Sequence, residues 1–465
     1  MAKNLLEAYS NRIKIAESVY SQTHNGQKMS NIKKLTVATC LNNVSKFMNE
    51  AFDSSAATQR ADMGNWKRFC LNLTNVSLPN LIAFDLVMVN PMTSITGYVA
   101  YVEYVAGTAK GKTEQGHLFN SPFKLGDVDA EYTSEAVTET FATSQTVLAW
   151  TPVAQDVFKA ADGTVLGDVK VIKAADSSIV FGTFASAADA ETGTLASMTF
   201  KDATGSSTSY TIVNGDKIAY RYDNVIIPQE NLPTLKAEIK SIPLLAKARR
   251  IAVYYSQIAA FQAKTDYGFD LGDQLAEKAV GQLSYEIDTE VVNLLDEVAT
   301  ANFSALDAAG QAELTWSKTL PVGVSKREHY AGFAEVLEIA RQRIYDATKK
   351  FAPNYMICAS NILPVLSMMD GFEAAPAGAI NGPYLAGTIG SLKVFISPAM
   401  APGKFAVGVN GNDMMSAVAV YAPYMPIVPT QLLQFADGAT SQGFSTMYDL
   451  VKLNDALIIG GQITA

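Results

Sequence analysis

The stretch whose spacing comes nearest to known chemistry is Gly107-Thr-Ala-Lys-Gly-Lys-Thr113. In the pattern G-x-x-x-x-G-K-[ST], glycines let backbone amides wrap a phosphate chain while the lysine and hydroxyl reach its oxygens and magnesium. A nucleotide-dependent enzyme would use Gly107 to Thr113 in that way. Here the spacing is G-x-x-x-G-K-T, one residue short, so the anion-binding loop does not close as usual. The following Glu114-Gln-Gly-His-Leu-Phe-Asn-Ser-Pro122 carries no helical pattern that would aim a dipole at phosphate. The stretch reads as a glycine-loosened loop that exposes Lys110 and Lys112.

A second concentration of chemistry is acidic. Glu277, Glu286, Asp288, Glu290, Asp296 and Glu297 crowd the segment from Asp270 to Thr300, as a metal site would, but no His or Cys lies among them. They read as a solvated or partner-facing surface. The three histidines, His24, His117 and His329, are far apart. No H-E-x-x-H, G-x-S-x-G or strand-borne G-x-G-x-x-G is present, so hydrolase and dinucleotide signatures are missing. Cys40, Cys70 and Cys358 are odd in number and widely spaced, which argues against a disulfide framework or a zinc site. No catalytic, metal or cofactor site is expected, and a structural or assembly role is.

The totals agree. The 465 residues are 48% hydrophobic and only 17% charged, a globular composition with room for several domains. A formal charge of -9 will not grip nucleic acid or an anionic membrane. No apolar run reaches membrane-spanning length and the first residues lack a signal-peptide core, so the expectation is cytoplasmic synthesis without membrane insertion.

The elements that must position these residues follow from periodicity. Ala276, Val280, Leu283, Ile287, Val291, Leu294 and Val298 recur every three or four positions, which predicts one long helix over 270–300 with Asp270 as N-cap. Gly281 in its middle predicts a close approach by another backbone. Residues 1 to about 75 predict two amphipathic helices with a break at His24-Asn-Gly26, and Trp66-Lys-Arg-Phe69 a packed turn. A β-rich region is expected from Pro79, and strand Ile95–Val105 continues it. From about 125 to 230 the period turns to two, with Asp162-Gly163 and Asn214-Gly215 as hairpin turns, predicting a small β-sandwich or barrel. Strands resume from Leu235 to Ser256. A second helix over 326–350 starts at a capping box, Ser325 to Glu328, and short strands fill the rest.

Three segments carry a family resemblance. The first is Pro79-Asn-Leu-Ile-Ala-Phe-Asp85 with Val89-Asn-Pro-Met92 and Thr96-Gly97; the second is Ala246-Lys-Ala-Arg-Arg-Ile251 leading through Tyr255 into the helix with Glu286 to Leu294. The third comprises Cys358-Ala-Ser-Asn361, Tyr384-Leu-Ala-Gly-Thr-Ile-Gly390, Lys393-Val-Phe-Ile-Ser-Pro398, Tyr421-Ala-Pro-Tyr-Met-Pro426 and Gly443-Phe-Ser-Thr-Met-Tyr448. Together they resemble the major capsid protein of tailed phages of the T-even myovirus type, built on the fold named after phage Hong Kong 97.

That resemblance implies an α+β, Hong Kong 97-like fold. Its parts would be an N-terminal arm (1–75), a peripheral domain (76–104, 236–351 and 426–465) with the long helix as spine, and an axial domain (352–425). An extended loop (105–235) would carry the inserted all-β domain (about 125–228). It implies a subunit that forms the hexamers and pentamers of an icosahedral shell around double-stranded DNA without sequence-specific binding. Scaffolding, portal, vertex and decoration proteins would be its partners. Its place would be the virion capsid, after assembly in the host bacterial cytoplasm. Lys110, Lys112, Arg249, Arg250, Glu277, Glu286 and Glu290 are the expected intersubunit contacts. Where the family strand carries Lys and Glu, this chain has Ala252 and Tyr254, and Met447 replaces a common Arg, so the family's salt bridges do not transfer. Leu5-Leu6-Glu7 fits the pattern at which relatives are trimmed, yet no trimming is expected there. The rival of the same fold is a bacterial nanocompartment shell protein, which typically lacks the β insertion.

Overall fold

Apolar residues at helical spacing bury one stripe of the longest element, the 34-residue helix Leu271–Ser304. At 1.5 Å of rise per residue it is about 50 Å long. The Asp270 side chain caps it, accepting from the amides of Gly272 at 2.9 Å and Asp273 at 3.4 Å.

The computed structural model describes residues 2–23, 26–51, 64–108, 113–120, 132–133, 136–148, 158–159, 165–196, 198–221, 233–375, 382–411, 413, 416–430, 433–435 and 438–464. It divides into two compact units, one of Met1–Tyr101, Pro122–Lys124 and Ser241–Ala465, the other of Val102–Ser121 and Leu125–Lys240. Strands Thr96–Ala106 and Leu235–Leu245, neighbours in a three-stranded sheet with Leu118–Asn120, carry the chain from one unit to the other.

In the first unit a five-stranded sheet orders Met88–Val89, Ala419–Pro429, Ala439–Lys452 and Lys247–Ser256, with Leu433–Gln434 pairing on Ala439–Lys452. The long helix lays Ala276, Ala279 and Leu283 on Ile427 and Phe444 of this sheet. A seven-stranded sheet orders Thr315–Ser317, Ile458–Thr464, Lys404–Gly408, Tyr355–Ala359, Leu392–Ser397, Tyr384–Ile389 and Phe372–Ala374. It therefore draws in strands from outside 352–425. Phe333, on the following helix Phe333–Thr348, meets Phe405 edge to face at 5.3 Å.

The N-terminal region is more helical than its periodicity suggests. It forms α1 (Ala2–Ala8), α2 (Ser10–Thr23), α3 (Asn31–Ala51) and α4 (Gly64–Ser77). Trp66-Lys-Arg-Phe69 lies inside α4, not in a turn. The segment after Pro79 begins not as a strand but as a short helix, α5 (Ala83–Leu86), before the two-residue strand Met88–Val89. Every residue from Leu81 to Val87 is buried, and a continuous apolar run cannot separate a buried strand from a buried helical turn. The second helix is broken at Gly332 into Lys326–Ala331 and Phe333–Thr348, with the Ser325–Glu328 capping box present. His24 lies outside the described residues.

Among the described residues the second unit is built around a six-stranded antiparallel sheet: Ser207–Thr208, Thr199–Asp202, Ile179–Thr183, Val169–Ile172, Lys217–Arg221 and Ala136–Thr140. Val169, Val171, Val180, Phe200, Ile218 and Tyr220 alternate inward to form its core. Asn214-Gly215 is a turn, with Gly215 at φ +93°, but it does not close a hairpin. Lys217–Arg221 instead pairs with Val169–Ile172 and Ala136–Thr140, because the buried Asp216 carboxylate takes the amides of Ala174 and Val213, each at 2.9 Å. Asp162-Gly163 lies outside the described residues.

Candidate functional site

Strand Lys247–Ser256 pairs over ten positions with Ala439–Lys452 and lies at the end of the five-stranded order. Alternation sends Arg249, Ile251 and Val253 toward the long helix and leaves Arg250, Ala252 and Tyr254 exposed or half-exposed on the other face. Ala252 and Tyr254, the two departures from the family strand, therefore sit on the outward face.

Arg249 closes a clamp on the helix. Its Nη2 donates to Glu290 Oε2 at 2.5 Å and its Nη1 to Glu286 Oε2 at 3.3 Å. Glu286 and Glu290 are one turn apart, so a single guanidinium reaches both. The Tyr448 hydroxyl donates to the same Glu290 oxygen, and the guanidinium lies 5.8 Å from the Tyr448 ring centre. Burial, then the Glu290 carboxylate, hold the Tyr448 hydroxyl protonated far above its ordinary range. Partial burial works against the Arg249 charge, but the Glu290 hydrogen bond outweighs it and the guanidinium is held charged.

Three of the seven residues expected at intersubunit contacts are thus brought together within one chain: Arg249, Glu286 and Glu290. Arg250 is exposed, in register with Ser445. Glu277 is exposed on the helix and lines a cavity of about 260 Å³ with Lys278, Gly281, Gln282, Tyr285 and Gly382. Lys110 and Lys112 lie outside the described residues. A Cβ at Gly281 would meet no atom within 4 Å, so no backbone approaches it; the close approach is at Gly382, whose Cβ would lie 2.6 Å from Tyr285.

The Gly107–Thr113 stretch runs between two antiparallel strands, Thr96–Ala106 and Leu118–Asn120, not from a strand into a helix. The Gly107 amide donates to the Thr234 carbonyl at 2.6 Å, so it is not available to a phosphate. Among the described residues no helix follows this stretch to supply the N-terminus that gives such a loop its affinity for anions.

Two buried acids escape a reading by spacing. Asp288 does not share the solvated face of its helix: it is buried, and its Oδ1 accepts from the Ala83 amide at 3.4 Å. Burial pushes its carboxyl up to about 8. Asp85, also buried, accepts from Tyr20 and from Lys33, each at 2.9 Å. Its signal was a lone acid within the apolar run Leu81–Val89. All three cysteines are buried thiols, and burial pushes each up to about 12.

The arrangement is one of clamps and buried joints that fix long elements against each other. The major capsid protein Gp23 family matches residues 63–463. The "Major capsid protein" of Enterobacteria phage T6 is 25% identical over 418 residues, which span 82% of this chain and 76% of that protein. That of Vibrio phage KVP40 is 24% identical over 414 residues, spanning 81% and 74%. Among solved structures, one from Mycobacterium phage Che8 aligns over 69% of this chain and 95% of its own at 11% identity and a TM-score of 0.32. With the family match running through the Asp288–Ala83 joint, the clamp and well over half of the sequence, this chain belongs to the Gp23 family of phage major capsid proteins.

Proposed function

We propose that copies of this chain assemble into the hexamers and pentamers of an icosahedral, Hong Kong 97-like shell that encloses double-stranded DNA, and that it performs no catalysis. The family match over residues 63–463 carries this reading. The surface supports it: Tyr254, Ile258, Phe261 and Tyr267 are 68–77% exposed within one short stretch, a concentration of apolar surface that a solitary soluble chain rarely leaves open. The charge of -9 suits a wall that repels packaged DNA and lets it leave.

Arg250, Glu277 and the loop of Lys110 and Lys112 are the charged contacts offered to neighbouring copies. Arg249, Glu286 and Glu290 serve them by fixing the strand on the helix. Scaffolding, portal, vertex and decoration proteins are the further partners, and the finished place is the virion. Electron microscopy of the purified protein tests the reading. Closed shells with sixfold and fivefold capsomers are expected; a stable monomer at high concentration would overturn it, and small cages devoid of DNA from infected cells would favour a compartment shell instead.

A further inference from the structure

Helices α1, α2 and α3 lie wholly before residue 63, where the family match begins, yet α2 and α3 bury residues as core. Ala16, Tyr20, Val37, Leu41 and Val44 are 0–2% exposed against Met425 and Val428 of the sheet and Cys70 and Leu71 of α4. The polar contacts converge as specifically. Asn43, 5% exposed, donates through Nδ2 to the carbonyls of Met92 and Tyr424, both at 2.8 Å, which fixes α3 on two separate segments of the body. Lys33 of α3 and Tyr20 of α2 meet on Asp85, which Lys393 of the seven-stranded sheet approaches at 3.8 Å, while Lys393 also donates to Gln27 at 2.8 Å. Arg12 of α2 donates to Asn72 of α4 at 3.3 Å.

We infer that α2 and α3, with α1 against them, form an in-chain cap: a folded piece seated in a dedicated surface of the body by this apolar seam and the Asp85 joint, which holds without its covalent tether. The groove has one occupant of matching chemistry, the chain's own first fifty residues. An arm reaching for a neighbour would present its apolar stripe outward; here Ala16, Val37, Leu41 and Val44 are spent within the subunit. Were the cap to leave, Met425, Val428, Cys70 and Leu71 would be opened to water together, a patch that favours indiscriminate association.

The test uses the full chain with a protease recognition sequence inserted between Asp53 and Gly64. After cutting, size-exclusion chromatography of the native subunit is expected to show the N-terminal fragment co-eluting with the body in equal amount. The same nick in Val44→Asp, placed where the seam is fully buried, is expected to release it. Dissociation of the unmutated fragment overturns the inference. The outcome is independent of shell formation, so it can fail or succeed whatever becomes of the capsid reading.

Discussion

Asp288, in the middle of the long helix, accepts a hydrogen bond from the Ala83 amide at the start of α5. A helix start leaves backbone amides without helical partners, and a carboxyl oxygen placed there satisfies one of them. The same burial that makes the joint dry keeps the carboxyl protonated, up to about 8 against 3.8 for the free group.

This predicts a specific pH dependence. A carboxyl whose folded-state pKa is raised binds its proton more tightly when folded, so stability falls as pH rises from the unfolded value near 3.8 to about 8 and is level above that. The loss is at most ~1.4 kcal/mol per pH unit. Asp288→Asn removes the ionisation. Its melting temperature relative to the unmodified chain is expected to climb between about pH 4 and pH 8 and then stay flat. Thermal melts of both proteins across that range check it; a difference independent of pH would show that Asp288 ionises freely in the fold.

The clamp of Arg249 on Glu286 and Glu290 predicts a modest, salt-sensitive contribution. Its side chains are 34–42% exposed, so solvent screens much of the attraction. Arg249→Ala is expected to cost roughly 1 kcal/mol beyond lost packing, and a double-mutant cycle with Glu290→Gln should show coupling that shrinks at high salt. Tyr448→Phe removes the hydroxyl on the same Glu290 oxygen and should weaken that coupling. No coupling at low salt would make the pair ornamental.

The long helix was legible because everything that makes it is local: the stripe from Ala276 to Val298, the Asp270 cap, and an acid in the first turn. Asp288 was not, because a stripe written as one residue per turn hides its width. Asp288, Val292 and Leu295 are spaced four and three apart and form a second buried row beside Ile287 and Val291. Arg249 and Glu290 were each singled out by charge, but their meeting depends on how a strand docks on a helix 41 residues away in sequence, which no local pattern encodes. The N-terminal stripes gave the amphipathic faces of α2 and α3 without saying what covers them. The family resemblance stood on motifs in chain order, all of them from Pro79 onward.

Two glycines near the long helix predict opposite outcomes for the same substitution. A Cβ at Gly460 would lie 2.8 Å from the Ala299 carbonyl oxygen, where strand Ile458–Thr464 crosses the helix. Neither backbone can yield cheaply, so Gly460→Ala is expected to destabilise by about 1–3 kcal/mol. Gly281→Ala places its methyl in open space on a helix interior and is expected to stabilise by about 0.5–1 kcal/mol. Denaturant titrations of the two variants decide it, and equal shifts of the same sign would refute the packing of strand on helix.

The exposed apolar group at the end of strand Lys247–Ser256 predicts a separation between folding and assembly. Ile258 and Phe261 are each 71% exposed on helix Gln257–Asp266, whose only fully buried residue is Ala263. Their side chains contribute little to the isolated subunit, so Ile258→Ser with Phe261→Ser is expected to change subunit stability by no more than about 0.5 kcal/mol per site. If neighbours in a shell cover the same residues, burial of each is worth about 1.5–3 kcal/mol. Because a closed shell repeats that contact in every subunit, a small loss per contact multiplies. Light scattering and electron microscopy of the double variant should therefore show a raised concentration threshold for shells with melting curves unchanged. Shells forming at the original threshold would place this apolar group outside the subunit interface.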